Sequence, residues 1–315
     1  MARYLDPKND LPFKRIFGEH PDLLKSFLNA LMPLEEHQRI ESLEYLAAEQ
    51  VPDNPARRNS IVDVRCRDNF GRQFIVEMQM LWNCFFSRRM VFNASKAYVR
   101  QLDRNERYHL LQPVYGLAII NDTFDRKTPE FYHHYRIVNY QNTEEVISGL
   151  EFVMIELPKF KPEKWADRRM AVLWLRFLGE VEEHRSTISG DLKEDTYISQ
   201  ALDMCEEGAF TETELAAYDK YWDIIRTEKS YLAEGEEREA AGRATGRAEG
   251  RMEGRAEGRM EGRVEGRAEG REESLIRVVL NGRRNGFSTE QIQAITGLEE
   301  ERIREILCSD GDVLP

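Results

Sequence analysis

The feature that most limits the fold is a pair of apolar stretches, SIVDVRC (60–66) and RQFIVEMQM (72–80), joined through Asp68, Asn69, Phe70 and Gly71. β-Branched and aromatic residues alternating on both sides of a Gly-containing turn predict a β-hairpin. Alternation puts Asp63 on one face with Ile61 and Arg65, and Glu77 and Gln79 on one with Ile75. Val62, Val64, Phe74, Val76 and Met78 make the other face apolar. If residues 69–71 form a three-residue loop with Gly71 left-handed, Asp68 pairs with Arg72, and counting back sets Asp63 opposite Glu77. Their β-carbons would then lie roughly 4.5–5.5 Å apart.

The segments around the hairpin extend it into a mixed α/β domain. Phe13, Ile16 and Phe17, then Leu23, Leu24, Phe27, Leu28 and Leu31, form two helical stripes, the first capped by Asn9 or Asp10 with Pro12 in its first turn. A short strand near 40–46 precedes the hairpin. A helix from about Arg88 to Arg104, with Val91, Ala94, Tyr98 and Leu102 on one side, and strands at 114–120 and 152–157 follow it. Residues 163–235 read as helical and acidic.

From Gly242 to Arg271 a four-residue repeat, mostly GRxE, places glycine at every fourth position. As a lone helix it is poor, since each glycine costs roughly 1 kcal/mol relative to alanine. It therefore suits either a self-associating helix, predicting a homo-oligomer through 236–310, or a flexible charged linker. Met252 and Met260 offer internal starts for a short C-terminal product that would pair with the full chain. The tail resembles a helix-turn-helix, with a capping box at Ser288 and Gln291 and a break at Gly297. Its last helix, EEERIREIL, is too acidic for a major-groove reader and fits a protein contact better.

Charge is distributed unevenly. The chain carries −12 overall, but residues 57–107 hold 11 Arg and Lys against 5 Asp and Glu, and 180–239 hold 18 acids against 6 bases. A basic middle beside an acidic flank suits a polyanion site, with Arg57, Arg58, Arg88, Arg89, Lys96 and Arg100 as DNA-binding candidates; two differently solvated surfaces would give the same pattern. The four cysteines show no CxxC pairing and the six histidines no HExxH, so neither zinc nor a disulfide framework is implied. No stretch is apolar for the roughly 20 residues a membrane span needs, and the first residues lack a signal-peptide core. A cytoplasmic address with no membrane partner is the expectation.

Two carboxylates held opposite each other repel unless one is protonated or a cation lies between them. A hard divalent ion, Mg²⁺ first and Mn²⁺ or Ca²⁺ as alternatives, would accept Asp63 and Glu77 with waters and phosphate oxygens. Gln79 could position water or phosphate but, as an amide, is no general base. Taken alone, the spacing also fits a solvated strand face.

LDPKNDLPFKRIFG (5–18), IVDVRC with Asp63, FIVEMQM with Glu77 and Gln79, IELPKF (155–160) and the GRxE repeat together resemble the Rpn family of recombination-promoting nucleases, also described as PD-(D/E)XK nuclease family transposases. The resemblance implies a restriction-endonuclease-like αβββαβ core, divalent-metal DNA cleavage and a link to recombination, mobile elements or phage biology. It makes Asp63 and Glu77 the motif acids. Gln79 stands where the wider superfamily carries lysine, and Asp10 and Lys14 belong to the opening motif, Asp10 being a further catalytic candidate. The expected organisation is a nuclease-like core at 1–160, an acidic helical extension at 161–235, the repeat at 236–272 and a helical tail at 273–315. A non-catalytic DNA-binding or scaffold protein on the same fold is the alternative.

Overall fold

The computed structural model of the chain describes residues 3–50, 60–102, 107–182 and 188–309. In chain order the elements are α1 (Asp10–Glu19), α2 (Pro21–Leu31), β1 (Leu43–Tyr45), β2 (Glu49–Gln50), β3 (Ser60–Ile61), β4 (Val64–Asp68), β5 (Gln73–Gln79) and α3 (Phe86–Val99). They continue as β6 (Val114–Ile120), β7 (Tyr132–Val138), β8 (Val146–Glu156), α4 (Arg169–Glu180), α5 (Gly190–Glu194), α6 (Thr196–Cys205), α7 (Glu212–Arg284), α8 (Thr289–Thr296) and α9 (Glu300–Ser309). The described residues divide into two compact units, the boundary falling at Tyr231–Leu232 within α7.

In the N-terminal unit, six strands form one sheet in the order β1-β4-β5-β6-β8-β7. The β1, β4 and β5 strands are antiparallel, β5 to β6 and β6 to β8 are parallel, and β7 returns antiparallel to β8 at the far edge. One face buries Val64, Cys66, Phe74, Val76, Val153 and Ile155 against α1, α2, α4 and α6. The other packs Ile75, Ala118, Phe152 and Met154 against Phe86, Met90, Ala94 and Ala97 of α3. This is the αβββαβ order expected, with a β7–β8 hairpin added. The β8 strand begins at Val146, well before residue 152, because β7, not foreseen, pairs along it from Ile155 back to Val146.

Two expectations need correction. The α3 helix starts at Phe86 rather than near Arg88 and ends at Val99. It buries Phe86, Met90, Asn93, Ala94 and Ala97 and leaves Val91 47% exposed. The first hairpin strand is not continuous either, since it breaks at Val62–Asp63, and β3 pairs with β2 in a separate two-stranded sheet. Val62 therefore joins Ile75 on the α3 side, while Val64 faces α1. Strict alternation fails because the break reverses the side-chain order on either side of Asp63.

In the C-terminal unit, Val279 of α7, Ile292 of α8 and Ile303 and Ile306 of α9 make a small core. The Ser288/Gln291 capping box is formed, and Gly297 closes α8 at φ 70°, a left-handed conformation that glycine adopts without strain. The repeat is helical within α7, and each glycine from Gly242 to Gly270 faces open space where a β-carbon would stand.

Candidate active site

The hairpin turn sets the site. Gly71 has φ 81°, the Asp68 amide donates to the Arg72 carbonyl at 3.0 Å, and Asp68 Oδ1 accepts from the Phe70 and Arg72 amides at 2.9 Å each. Pairing then runs Arg67 with Gln73, Cys66 with Phe74, Arg65 with Ile75 and Val64 with Val76. Asp63 lies just before this ladder, at the strand break, and its Oδ2 accepts the Met78 amide at 2.7 Å, next to Glu77. From Asp68–Arg72 to Val64–Val76 the register is the one the turn geometry predicts.

Asp63 is partly buried. Burial pushes its carboxyl up to about 6; the Met78 hydrogen bond opposes this, the negative charges of Glu77 and Asp10 add to it, and the nearby Lys14 relieves it. Asp10 and Lys14, one turn apart on α1 and paired at 2.8 Å, therefore belong to the surroundings of Asp63. They line a cleft of about 330 Å³ between α1 and the start of α7, with Arg15, Glu214 and Tyr221. Burial, then the charges of Asp10 and Asp63, raise the Tyr221 hydroxyl above its ordinary pKa.

Glu77 is held from the other side. It is 4% exposed; Oε1 accepts from Asn93 Nδ2 at 3.0 Å and Oε2 from Arg89 Nη2 at 3.0 Å. The same Arg89 nitrogen reaches Gln79 Oε1 at 2.8 Å, and Gln79 Nε2 donates to the Leu81 carbonyl at 2.6 Å. Residues 89 and 93 fall four apart on α3 and so present one edge of that helix to β5. Sequence reasoning gave Arg89 to the DNA surface and missed Asn93 altogether. An uncharged Asn one turn beyond an Arg in an otherwise apolar helix face was the only available signal.

The remaining basic candidates sort themselves along α3. Arg88, Arg89, Lys96 and Arg100 share an arc of roughly 120°. Arg88 is exposed, and Lys96 lies 5.5 Å from the Phe92 ring centroid. Gln101 and Gln112 exchange two hydrogen bonds, fixing the end of α3 beside the start of β6, and Arg65 on β4 donates to Gln73 at 2.8 Å nearby. Burial, then the charges of Arg100 and Arg67, hold Arg65 below its usual pKa, so these three cations are close enough to repel. Neither Arg65 nor Arg67 was among the expected basic candidates. Arg57 and Arg58 lie outside the described residues.

The family model described as PD-(D/E)XK nuclease family transposase matches residues 7–235. The chain belongs to this family. Comparison with curated proteins and with solved structures gave no match. The family's description points to nuclease activity linked to mobile elements, and PD-(D/E)XK nucleases generally use divalent metals. Among the described residues no three or more His, Cys, Asp or Glu side chains gather into a cage that could hold a metal by itself. The donors nevertheless fit a hard ion that keeps water and takes phosphate oxygens, because Mg²⁺ is commonly held by only one or two carboxylates. The unfavourable charge that Glu77 and Asp10 impose on the partly buried Asp63 is what such an ion would relieve.

Other motif residues of the chain serve its scaffold. Asp6 and Lys8 form a buried pair at 2.9 Å, with Lys8 Nζ also donating to the Leu178 carbonyl, and Asn9 caps α1 through the Leu11 amide. Glu156 of the IELPKF motif is fully buried and accepts from the Phe124 and Asp125 amides, His133 and Lys159. Both knots tie distant segments together. Among the described residues, no helix is long and apolar enough to cross a membrane.

Proposed function

We propose that this transposase-family chain is a divalent-metal-dependent DNA endonuclease using Asp63 and Glu77, with Mg²⁺ as its natural ion and Mn²⁺ or Ca²⁺ as substitutes. The observation that supports the reading is the hydrogen bond from the Met78 amide to Asp63, which holds this acid beside Glu77 and close enough for their charges to interact. When bound there, the ion would acidify a water and offset charge on the phosphate. Glu77 is kept in one orientation by Asn93 and Arg89, Gln79 orients water or phosphate without acting as a base, and Asp10 adds negative charge from α1. Lys96, Arg100, Arg65 and Arg67 continue a basic track from Glu77 along the same side of the hairpin, suited to a phosphate backbone. Arg88 extends it at the opposite end of α3.

Plasmid nicking tests the chemistry. Wild-type protein with Mg²⁺ is expected to cut; protein with chelator, and Asp63→Ala with metal, are expected to lose at least about 10³-fold in rate. If wild type fails with Mg²⁺, Mn²⁺ and Ca²⁺ alike, a non-catalytic DNA-binding scaffold becomes the better reading. Duplex binding followed by anisotropy at several salt concentrations tests the track. The Lys96→Ala/Arg100→Ala double variant should flatten the slope of log K against log salt by about 1.8, or roughly 0.9 per lost phosphate contact. An unchanged slope removes these residues from the DNA surface.

The repeat and tail are read as an assembly segment over 236–310. The support is the open glycine edge of a charged helix that has little intrinsic stability of its own. A product started at Met252 or Met260 would carry part of this edge and the whole tail. Recombination, transposition and phage defence all draw on the same cleavage chemistry and are equally served by this site.

A further inference from the structure

We propose that Arg89 is the cation of the cleavage site, fixing Glu77 and Gln79 with one edge of its guanidinium and turning the other toward the scissile phosphate. The inference rests on the nuclease reading above and assigns a role that the hairpin itself leaves vacant. At the site itself the hairpin offers two acids and an amide, and the cations of β4, Arg65 and Arg67, lie further along the strand toward the turn. Phosphodiester cleavage gathers negative charge on the phosphate oxygens, and positive groups already in place stabilise that charge best.

Arg89 meets the geometric requirements. Its Nη2 spans Glu77 Oε2 at 3.0 Å and Gln79 Oε1 at 2.8 Å, so one nitrogen contacts both residues of the strand that face the site. Its guanidinium carbon lies 5.0 Å from the Phe86 ring centroid, which limits where the planar group can turn. The side chain remains 49% exposed while the Glu77 side chain is 5% exposed, so the cation stands between the buried acid and solvent, where a phosphate would arrive. Each carboxylate oxygen has two lone pairs, and the clamp by Arg89 and Asn93 uses one on each, leaving Glu77 able to hold an ion as well. Lys14, the cation near Asp63, is committed to Asp10 within its own helix and touches neither hairpin acid through a hydrogen bond.

The test uses full-length protein in three forms besides wild type: Arg89→Ala, Arg89→Lys and Gln79→Lys/Arg89→Ala. Cleavage of a plasmid is measured at saturating Mg²⁺ as kcat and KM, Mn²⁺ binding by electron paramagnetic resonance without DNA, and folding by melting temperature. Arg89→Ala is expected to lower kcat about 100-fold with KM changed less than about threefold, the size of one lost oxyanion donor. Mn²⁺ should bind the Arg89→Ala protein at least as tightly as wild type, because a competing positive charge has left Glu77. The Gln79→Lys/Arg89→Ala protein, with a cation restored where Nη2 now ends, should recover at least about tenfold of the loss, and Arg89→Lys should fall between.

Wild-type kcat in Arg89→Ala overturns the proposal, as does loss of Mn²⁺ binding in that variant, which would mean Arg89 merely props Glu77. So does a folded double variant that recovers nothing. If wild type itself does not cut with any of the three metals, the nuclease reading fails first and this one with it. If wild type cuts and Arg89→Ala cuts equally well, only the role of Arg89 falls.

Discussion

Replacing Lys8 with alanine is expected to lower the stability of the N-terminal unit by about 3–5 kcal/mol, the range found when one partner of a buried ion pair is removed. The Lys8 and Asp6 side chains are 5% and 9% exposed, and the ammonium also holds the Leu178 carbonyl at the end of α4. Asp6 is bound in turn, its amide accepted by the Tyr218 hydroxyl of α7. Burial already raises the Asp6 carboxyl above its ordinary pKa despite Lys8. Without the ammonium, the acid must either take up a proton or remain as an isolated buried charge. Domains of this kind are stable by only about 5–15 kcal/mol, so the loss is a large share of the total. Urea unfolding at pH 7 measures it. The double variant Asp6→Asn/Lys8→Met should lose clearly less than Lys8→Ala, since no unpaired charge is left; if the single variant shifts stability by under about 1 kcal/mol, the knot does not hold the opening motif in place.

The hairpin was legible because its determinants are local. A left-handed Gly71 after a two-residue turn fixes the Asp68–Arg72 pairing, and strand geometry carries that register to Val64 and Val76, next to the two acids, without reference to the rest of the chain. The break at Val62–Asp63 was not legible, because it depends on β3 leaving the main sheet to pair with β2, a non-local choice made by residues on either side of 51–59. The clamp on Glu77 failed to show for the same reason. Which edge of α3 meets β5 is decided by Phe86, Met90 and Ala94 packing on β6 and β8, and only then do Arg89 and Asn93 point at the acid. Glu156 and the Asp6–Lys8 pair were visible as motif residues, but the partners that tie them to distant segments, His133 at 23 residues and Leu178 at 170, were not, and composition could not separate a buried knot from a site.

Asp63→Asn is expected to abolish metal-dependent cleavage and, without metal, to make the protein more stable near neutral pH. Asparagine keeps an oxygen to accept the Met78 amide but carries no charge to bury. In the native protein the Asp63 carboxyl lies near 6, above its unfolded value of 3.8, so between those values the folded state binds more protons than the unfolded one. Stability therefore falls as pH rises from about 4 to 6 and the full penalty persists at pH 7, roughly 1–3 kcal/mol after allowing for the partial exposure of the group. The melting temperature of Asp63→Asn should match wild type near pH 4 and exceed it at pH 7 by several degrees. Adding Mg²⁺ or Mn²⁺ should raise the wild-type melting temperature at pH 7 and leave the variant nearly unmoved, since only the ionised acid gains from a cation. A variant no more stable than wild type at pH 7 would show that Asp63 is not held at an electrostatic disadvantage. Higher stability together with lost cleavage would mean that the fold tolerates a poorly placed charge for the sake of the ion and phosphate it receives, as expected where local sequence rules give way at a working site.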